Sequence, residues 1–303
     1  IDRAGGLHRF INRSRPIITD SGGFQVFSLN HGSVHDEINM KSRKPTSRNK
    51  KLLENVTEEG ATFRSYRDGQ RILLTPESSV QAQKAYRSDI IIPLDELPPY
   101  HINRDELERS LNMTHRWEAR SLQEHLRDVR HQAMYAVLHG GVDYELRQKS
   151  IDYLCSLPFD GYGIGGSLGK DRQELSSLLE YVMPRIPPEK PNHLLGIADV
   201  PSIEGAVPLG VDTFDSCFPT RMGRHGTVLT KSHGKINLSS GGYKTRFDPV
   251  DPEWGIQDFS LAYLHHLLKA FEPVASTLCT LQNIMFMSRY MENIRTKILN
   301  DEI

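Results

Sequence analysis

Three cysteines in 303 residues, Cys155, Cys217 and Cys279, stand far apart, and no two form a CxxC pair. That scarcity excludes a disulfide-stapled secreted scaffold and a cysteine-rich zinc site, and makes a reducing, cytoplasmic setting the expectation. No apolar run is long enough to span a bilayer and mean hydropathy is −0.47, so no membrane association is expected. Neither sign of charge is in excess, with 37 Lys and Arg against 38 Asp and Glu. A globally basic nucleic-acid binder is thereby excluded, and any RNA contact must come from local clusters. The opening run through AGGLHRF carries no charged or apolar leader, so no removable signal segment is expected.

What is present centres on VDTFDSCFPTRMGRHG, residues 211–226. Asp215 closes a short strand-like run, and Pro219, Thr220, Arg221, Gly223, Arg224 and Gly226 follow as a cationic loop. A carboxylate so placed is suited to covalent attack. The two arginines behind it suit the binding of anionic oxygens by forked hydrogen bonds. An Asp before a turn also serves simply to close that turn.

Other strand ends carry chemistry too. In IITDSGGFQVF, Asp20 ends a run and two glycines allow a ligand close to the backbone, while Phe24 offers a flat face and Gln25 an amide. SDIIIPLDE ends on Asp95, and its continuous apolar run predicts a parallel strand covered on both faces. Strands over 133–138, 161–164, 194–198 and 211–214 alternate with helices over 104–130, 143–154, 172–182 and 202–207. Asp20, Asp95, His139, Gly165 and Asp215 then fall at carboxyl ends of strands, which share one face in a (β/α)8 TIM barrel. An open doubly wound sheet brings together only the ends near its switch point.

Basic residues between Lys41 and Lys51 predict an exposed insertion loop over about 31–55, and Asp68-Gly69 predicts a hairpin. The barrel core is expected over 1–230. A C-terminal helical subdomain is expected over 231–303, with a hairpin over 234–246, a loop over 248–258 and helices over 260–297. His265 and His266 are adjacent on a helix, point about 100° apart, and are read as packing or polar-face residues.

Five ordered motifs, TDSGGFQVFS, PLDELPPY, GGVDYELRQKS, FDGYGIGG and VDTFDSCFPTR, span most of the chain. Together they resemble the tRNA-guanine transglycosylases, the base-exchanging enzymes of queuosine biosynthesis. The resemblance implies a transferase that replaces guanine 34 of GUN-anticodon tRNAs with a 7-deazaguanine, preQ1 or queuine. Asp215 would be the nucleophile at C1′, giving a covalent ribosyl-enzyme, and Asp20 the general acid/base. Phe24 would stack on the base, and Asp95 would read its edge with Ser21, Gly165 and Gly166. Thr220, Arg221 and Arg224 would grip the anticodon loop. It also implies tRNA as partner, a homodimer, and an opening barrel strand before Ile1. Retaining exchange at a glycosidic carbon independently calls for one attacking and one proton-managing carboxylate.

Three departures accompany the resemblance. Where the family holds structural zinc, this chain places Asp251, Glu253, Ile256 and Gln282, a set unsuited to a closed soft-ligand site, so no metal cofactor is expected. Packing around Trp254, Phe259 and Tyr263 is expected in its place, and Pro273 inside the following helix suggests a remodelled subdomain. His139 replaces a family glutamine beside the base, and Lys170 enters a shortened loop after Gly166. These changes make a non-catalytic tRNA-binding partner subunit the alternative reading.

Overall fold

The computed structural model describes residues 1–31, 52–65 and 67–303, which form two compact units. The first comprises Ile1–Leu195 and Ser202–Phe214, and the second Gly196–Pro201 and Asp215–Ile303.

In the first unit a short helix α1 (Leu7–Phe10) precedes strand β1 (Ile18–Thr19) and helix α2 (Gly23–His31). An antiparallel sheet of β2 (Leu53–Val56), β3 (Ala61–Arg64) and β4 (Arg71–Leu74) comes next. The Asp68-Gly69 hairpin lies where expected, between β3 and β4, with Gly69 in the left-handed region. The basic residues from Lys41 to Lys51 lie outside the described residues. The end of the expected insertion loop, however, is strand: Leu53 turns a buried side chain into a cluster with Val26 and Ala61. Its alternation was hidden by the polar Glu54 and Asn55.

Helix α3 (Pro76–Tyr86) leads to β5 (Ile90–Ile91), α4 (Arg104–Leu126) to β6 (Ala133–Leu138), and α5 (Tyr144–Cys155) to β7 (Gly161–Ile164). Helix α6 (Arg172–Val182) then leads to β8 (Asn192–Leu194), and α7 (Val200–Ala206) to β9 (Thr213–Phe214). Polar side chains of Thr75, Asn103, Asp143 and Asp171 cap the starts of α3 to α6 by accepting first-turn N–H groups. The six strands β1, β5, β6, β7, β8 and β9 pair in that order, all parallel. Strands in chain order with helical crossovers are the topology of a partial (β/α) barrel. β8 lies two residues earlier than the sequence suggests, because Asn192 and His193 are buried polar residues that break the apolar signature of a central strand.

Registers are fixed by a repeated device. Asp89, Asp160 and Asp212 each stand immediately before a strand, and each accepts a main-chain N–H within one residue of the start of the preceding strand in the sheet. The bonds run from Ile17 at 2.7 Å, Met134 at 2.8 Å and Asn192 at 2.9 Å.

Between α4 and α5, His115 is buried, stacked on Tyr153 with centroids 4.8 Å apart and 3.3 Å from Ser150 Oγ. Burial, aided by the nearby His139, Lys149 and Arg116, holds its pKa down to about 4. The folded chain therefore keeps this imidazole neutral down to about pH 4, whereas the unfolded chain protonates it near 6.5. Stability contributed above that window is lost as pH falls through it, by up to about 3 kcal/mol. Urea midpoints for His115→Gln should change less between pH 7 and pH 4.5 than those of the parent; parallel profiles would refute the assignment.

The second unit holds helix α8 (Phe218–Arg224), a hairpin of β10 (Thr227–Thr230) and β11 (Gly234–Asn237), and helices α9 (Leu261–Lys269) and α10 (Pro273–Leu299). The hairpin begins seven residues before the expected 234, since Gly234, at φ 62, ends its turn. Pro273 does not interrupt a helix. It occupies the first turn of α10, where a missing N–H costs nothing, after Phe271 has turned the chain at φ 57. Val228, Leu238, Val250, Leu261, Leu264 and Cys279 form the core of this unit. His265 donates its Nδ1–H to the Leu238 carbonyl at 2.7 Å, a packing role as expected. Among the described residues, no helix is long and apolar enough to cross a membrane.

Candidate active site

In the first unit, the carboxyl ends of β1, β5, β6 and β7 carry a contiguous set of polar groups. Asp20 follows β1, and its Oδ1 accepts the Ser21 N–H at 2.8 Å. Ser21 is buried; its carbonyl accepts Ser79 Oγ at 2.7 Å, and its hydroxyl points to Asp95 Oδ1 at 3.4 Å. Asp95 lies a few residues past β5, mostly buried, and its Oδ2 is 3.0 Å from Nε2 of His139 at the end of β6. That nitrogen is off the line of a hydrogen bond, so it stands close to Asp95 but has no aligned partner in the described structure. Asp95, Ser21 and His139 are thus brought together from three successive strands.

Glycines make room for this cluster. A Cβ on Gly23 would run into the Asp95 carboxylate, and one on Gly166, at φ +74, would come within 2.9 Å of His139 Nδ1. Gly165 is required for a different reason. Its Cβ would meet Val137 Cγ1 at 2.5 Å, and its N–H is already donated to the Leu138 carbonyl at 3.2 Å. Phe24, on the first turn of α2, is exposed, with its ring centroid 6.1 Å from that of Phe27. Gln25 is the next residue on the same helix and leaves the axis about 100° away from Phe24.

Beneath the set lies Glu118, fully buried, with Oε2 accepting the Val137 N–H at 3.0 Å. Burial raises its pKa well above the usual carboxylate range, and the nearby Asp95 adds to the shift. Lys170 pairs with Glu174 at 3.2 Å, and Tyr100 donates its hydroxyl to the same carboxylate at 3.0 Å. Lys170, Tyr100 and Glu174 therefore form one surface cluster. Sequence reasoning passed over Tyr100 and Glu174, and it assigned Arg147 and Ser150 to a helix without a role. The available signal was spacing: Arg147, Ser150, Ile151 and Leu154 recur at the interval of a buried helical face.

In the second unit, Asp215 is the residue after β9, and its Oδ1 accepts the Gly196 N–H at 2.7 Å. The segment read as a loop is instead helix α8, nucleated by Pro219 in its first turn. Gly223 presses on α10, where a Cβ would fall within 2.7 Å of the Thr280 backbone. Arg221 and Arg224, at i and i+3, are exposed on neighbouring positions of α8, with Thr220 beside them.

The four positions that would hold zinc also belong to this unit. Asp251 is buried; its Oδ2 accepts the Lys231 N–H at 2.9 Å, and its Oδ1 accepts those of Glu253 and Trp254. Gln282 is fully buried, accepting the Ile256 N–H and donating to the Leu229 carbonyl, each at 2.8 Å. Glu253 is ion-paired with Lys231, and Ile256 offers no ligand atom in its side chain. This donor set does not fit a structural zinc ion, whose ligands must be free and soft. Trp254 packs on Phe286 and Tyr290 of α10, with centroids 5.5 and 6.3 Å away, while Phe259 stacks on Tyr263. No group of three or more His, Cys, Asp or Glu among the described residues is placed to hold a metal ion.

Comparison with known proteins bears on the family of the chain. The family model described as queuine tRNA-ribosyltransferase matches residues 1–303. The chain is 55% identical over 306 residues to a queuine tRNA-ribosyltransferase of Protochlamydia amoebophila, covering all of this chain and 78% of that one. It is 47% identical to that of Chlamydia felis and 44% identical to that of Chlamydia trachomatis serovar L2, covering 99% of this chain and 80% of theirs in both cases.

Proposed function

Because the chain belongs to the queuine tRNA-ribosyltransferase family, we propose that it is a pentosyltransferase of queuosine synthesis, exchanging guanine 34 of GUN-anticodon tRNAs for a 7-deazaguanine, preQ1 or queuine. The observation that carries this reading is Asp95, a largely buried carboxylate placed by Ser21 and His139. A guanine-like edge presents adjacent N–H donors, and a fixed carboxylate accepts two of them with charge-assisted strength.

Phe24, exposed at the start of α2, supplies the stacking face for a base taken out of its strand. Asp215 attacks C1′ of the ribose: the new Asp–ribosyl bond forms as the bond to guanine breaks, and guanine leaves with a proton supplied by Asp20. The 7-deazaguanine then gives a proton to Asp20 and displaces Asp215, so that two inversions give net retention. Arg221 and Arg224, with Thr220, hold the anticodon-loop backbone. Gln25 and the Gly165–Gly166 turn complete the base site. His139 changes the donor set facing the incoming base. Self-association, which the resemblance implies, belongs to the same proposal.

The chain is proposed to work without a structural metal, since the polar groups at the four zinc positions are spent on other bonds. Incubation with a GUN-anticodon tRNA and labelled guanine should place label at position 34. Intact tRNA binding without incorporation would instead identify a non-catalytic tRNA-binding subunit.

A further inference from the structure

Arg147 is completely buried on the inner face of α5, and the oxygens it meets are all main-chain carbonyls. Its Nη1 donates to Leu138 O at 2.6 Å, its Nε to Gly141 O at 2.8 Å and its Nη2 to Ser167 O at 3.0 Å. The first two carbonyls belong to the loop that ends β6, and the third to the loop that ends β7. Burying a guanidinium is costly, and here burial pushes its pKa down to about 9. An apolar residue would fill the same space without that cost, so what the arginine adds is its rigid fork, able to serve three carbonyls at once.

One turn on, Ser150 is also fully buried, and its hydroxyl accepts the His139 N–H at 3.1 Å. Leu138 O and His139 N are the two polar ends of a single peptide group. Helix α5 therefore holds that group from both sides, which sets the direction of the His139 side chain toward Asp95. There is little slack between the β6 loop and the helix that carries the clamp, since a Cβ on Gly140 would strike the main-chain nitrogen of Arg147 at 2.6 Å.

We propose that Arg147 and Ser150 are positioning residues that lock the 138–139 peptide and join the β6 and β7 loops into one rigid wall for base recognition. The base-recognition half rests on the functional reading above. Neither residue reaches the base. Both act by keeping His139, Gly166 and their backbone in place, and such preorganisation is paid for before the ligand arrives.

The test uses the full chain with Arg147→Lys, which keeps the charge but loses the fork, and the milder Ser150→Ala. Steady-state guanine exchange should show the KM for free guanine raised about tenfold in each, with kcat and the KM for tRNA within about twofold of the parent. Amide hydrogen exchange should quicken at 138–141 and 165–168 in Arg147→Lys while the rest of the first unit keeps its protection. A purely structural role would instead lower protection throughout and leave the guanine KM unmoved, and either result overturns the proposal. If the parent chain exchanges no guanine, the functional reading fails and the base-recognition half with it. The hydrogen-exchange arm still judges the clamp.

Discussion

Asp215→Asn is expected to abolish guanine exchange, lowering kcat by at least about a thousandfold, while tRNA binding stays close to that of the parent. Asparagine has the shape of aspartate and retains a carbonyl oxygen, so the 2.7 Å bond from the Gly196 N–H survives and the second unit should fold unchanged. What the variant loses is the proposed nucleophile, because an amide oxygen does not form a stable glycosyl ester. A denaturing gel should show a covalent tRNA adduct with the parent chain and none with Asp215→Asn. Asp20→Asn should differ in kind: with Asp215 intact the attacking group remains, but departure and re-entry of the base slow. Exchange by Asp215→Asn within tenfold of the parent would remove Asp215 from the chemistry. Loss of tRNA binding along with activity would point to a fold defect, which circular dichroism would reveal.

The second large effect belongs to Gln282. Gln282→Ala should cost about 3–5 kcal/mol in the stability of the second unit, read as a shifted urea midpoint. Three losses combine. The Ile256 N–H and the Leu229 carbonyl are both left buried without partners, and a cavity opens beside Gly255, whose missing Cβ now leaves space for the amide. Chelator should move the parent's midpoint by less than measurement error, and the purified, untagged chain should carry zinc far below one equivalent. Near-stoichiometric zinc, or a chelator-sensitive midpoint, would show that the polar network does not replace a metal. A Gln282→Ala midpoint equal to the parent's would show that the network contributes little.

Much of the first unit was legible in the sequence. The strands over 133–138 and 161–164 and the helix over 172–182 appear at their expected bounds, because apolar periodicity, polar caps and short loops agree there. Legibility failed where a single residue carries two meanings. Pro273 read as a helix breaker, but it starts α10, since proline's cost depends on its position in the turn. The 218–224 segment read as loop for its Pro and Gly, yet Gly223 is there to admit the Thr280 backbone, a contact supplied by residues far along the chain. At the site, Asp95 and His139 could be singled out because they end strands. Their direct approach at 3.0 Å, and the support of Arg147 from behind, arise from packing between successive strands and cannot be read from spacing alone.

The aspartates that precede β5, β7 and β9 divide the parallel sheet into three two-strand panels, each locked by a side chain. At the seams between panels, β5–β6 and β7–β8, the bonds from Ala133 N to Asp89 O at 2.9 Å and from Tyr162 N to Pro191 O at 3.0 Å are joined by side-chain bonds from Gln132 Nε2 to Ser88 O and from Lys190 Nζ to Phe159 O, each at 2.7 Å. Slippage by one residue within a panel would strand a carboxylate as well as invert the side chains, and slippage at a seam would strand an amide or an ammonium in the same way. Every neighbouring pair from β1 to β9 therefore carries a side-chain lock at its amino end, so register is checked at the end of the sheet opposite the polar set formed by Ser21, Asp95 and His139.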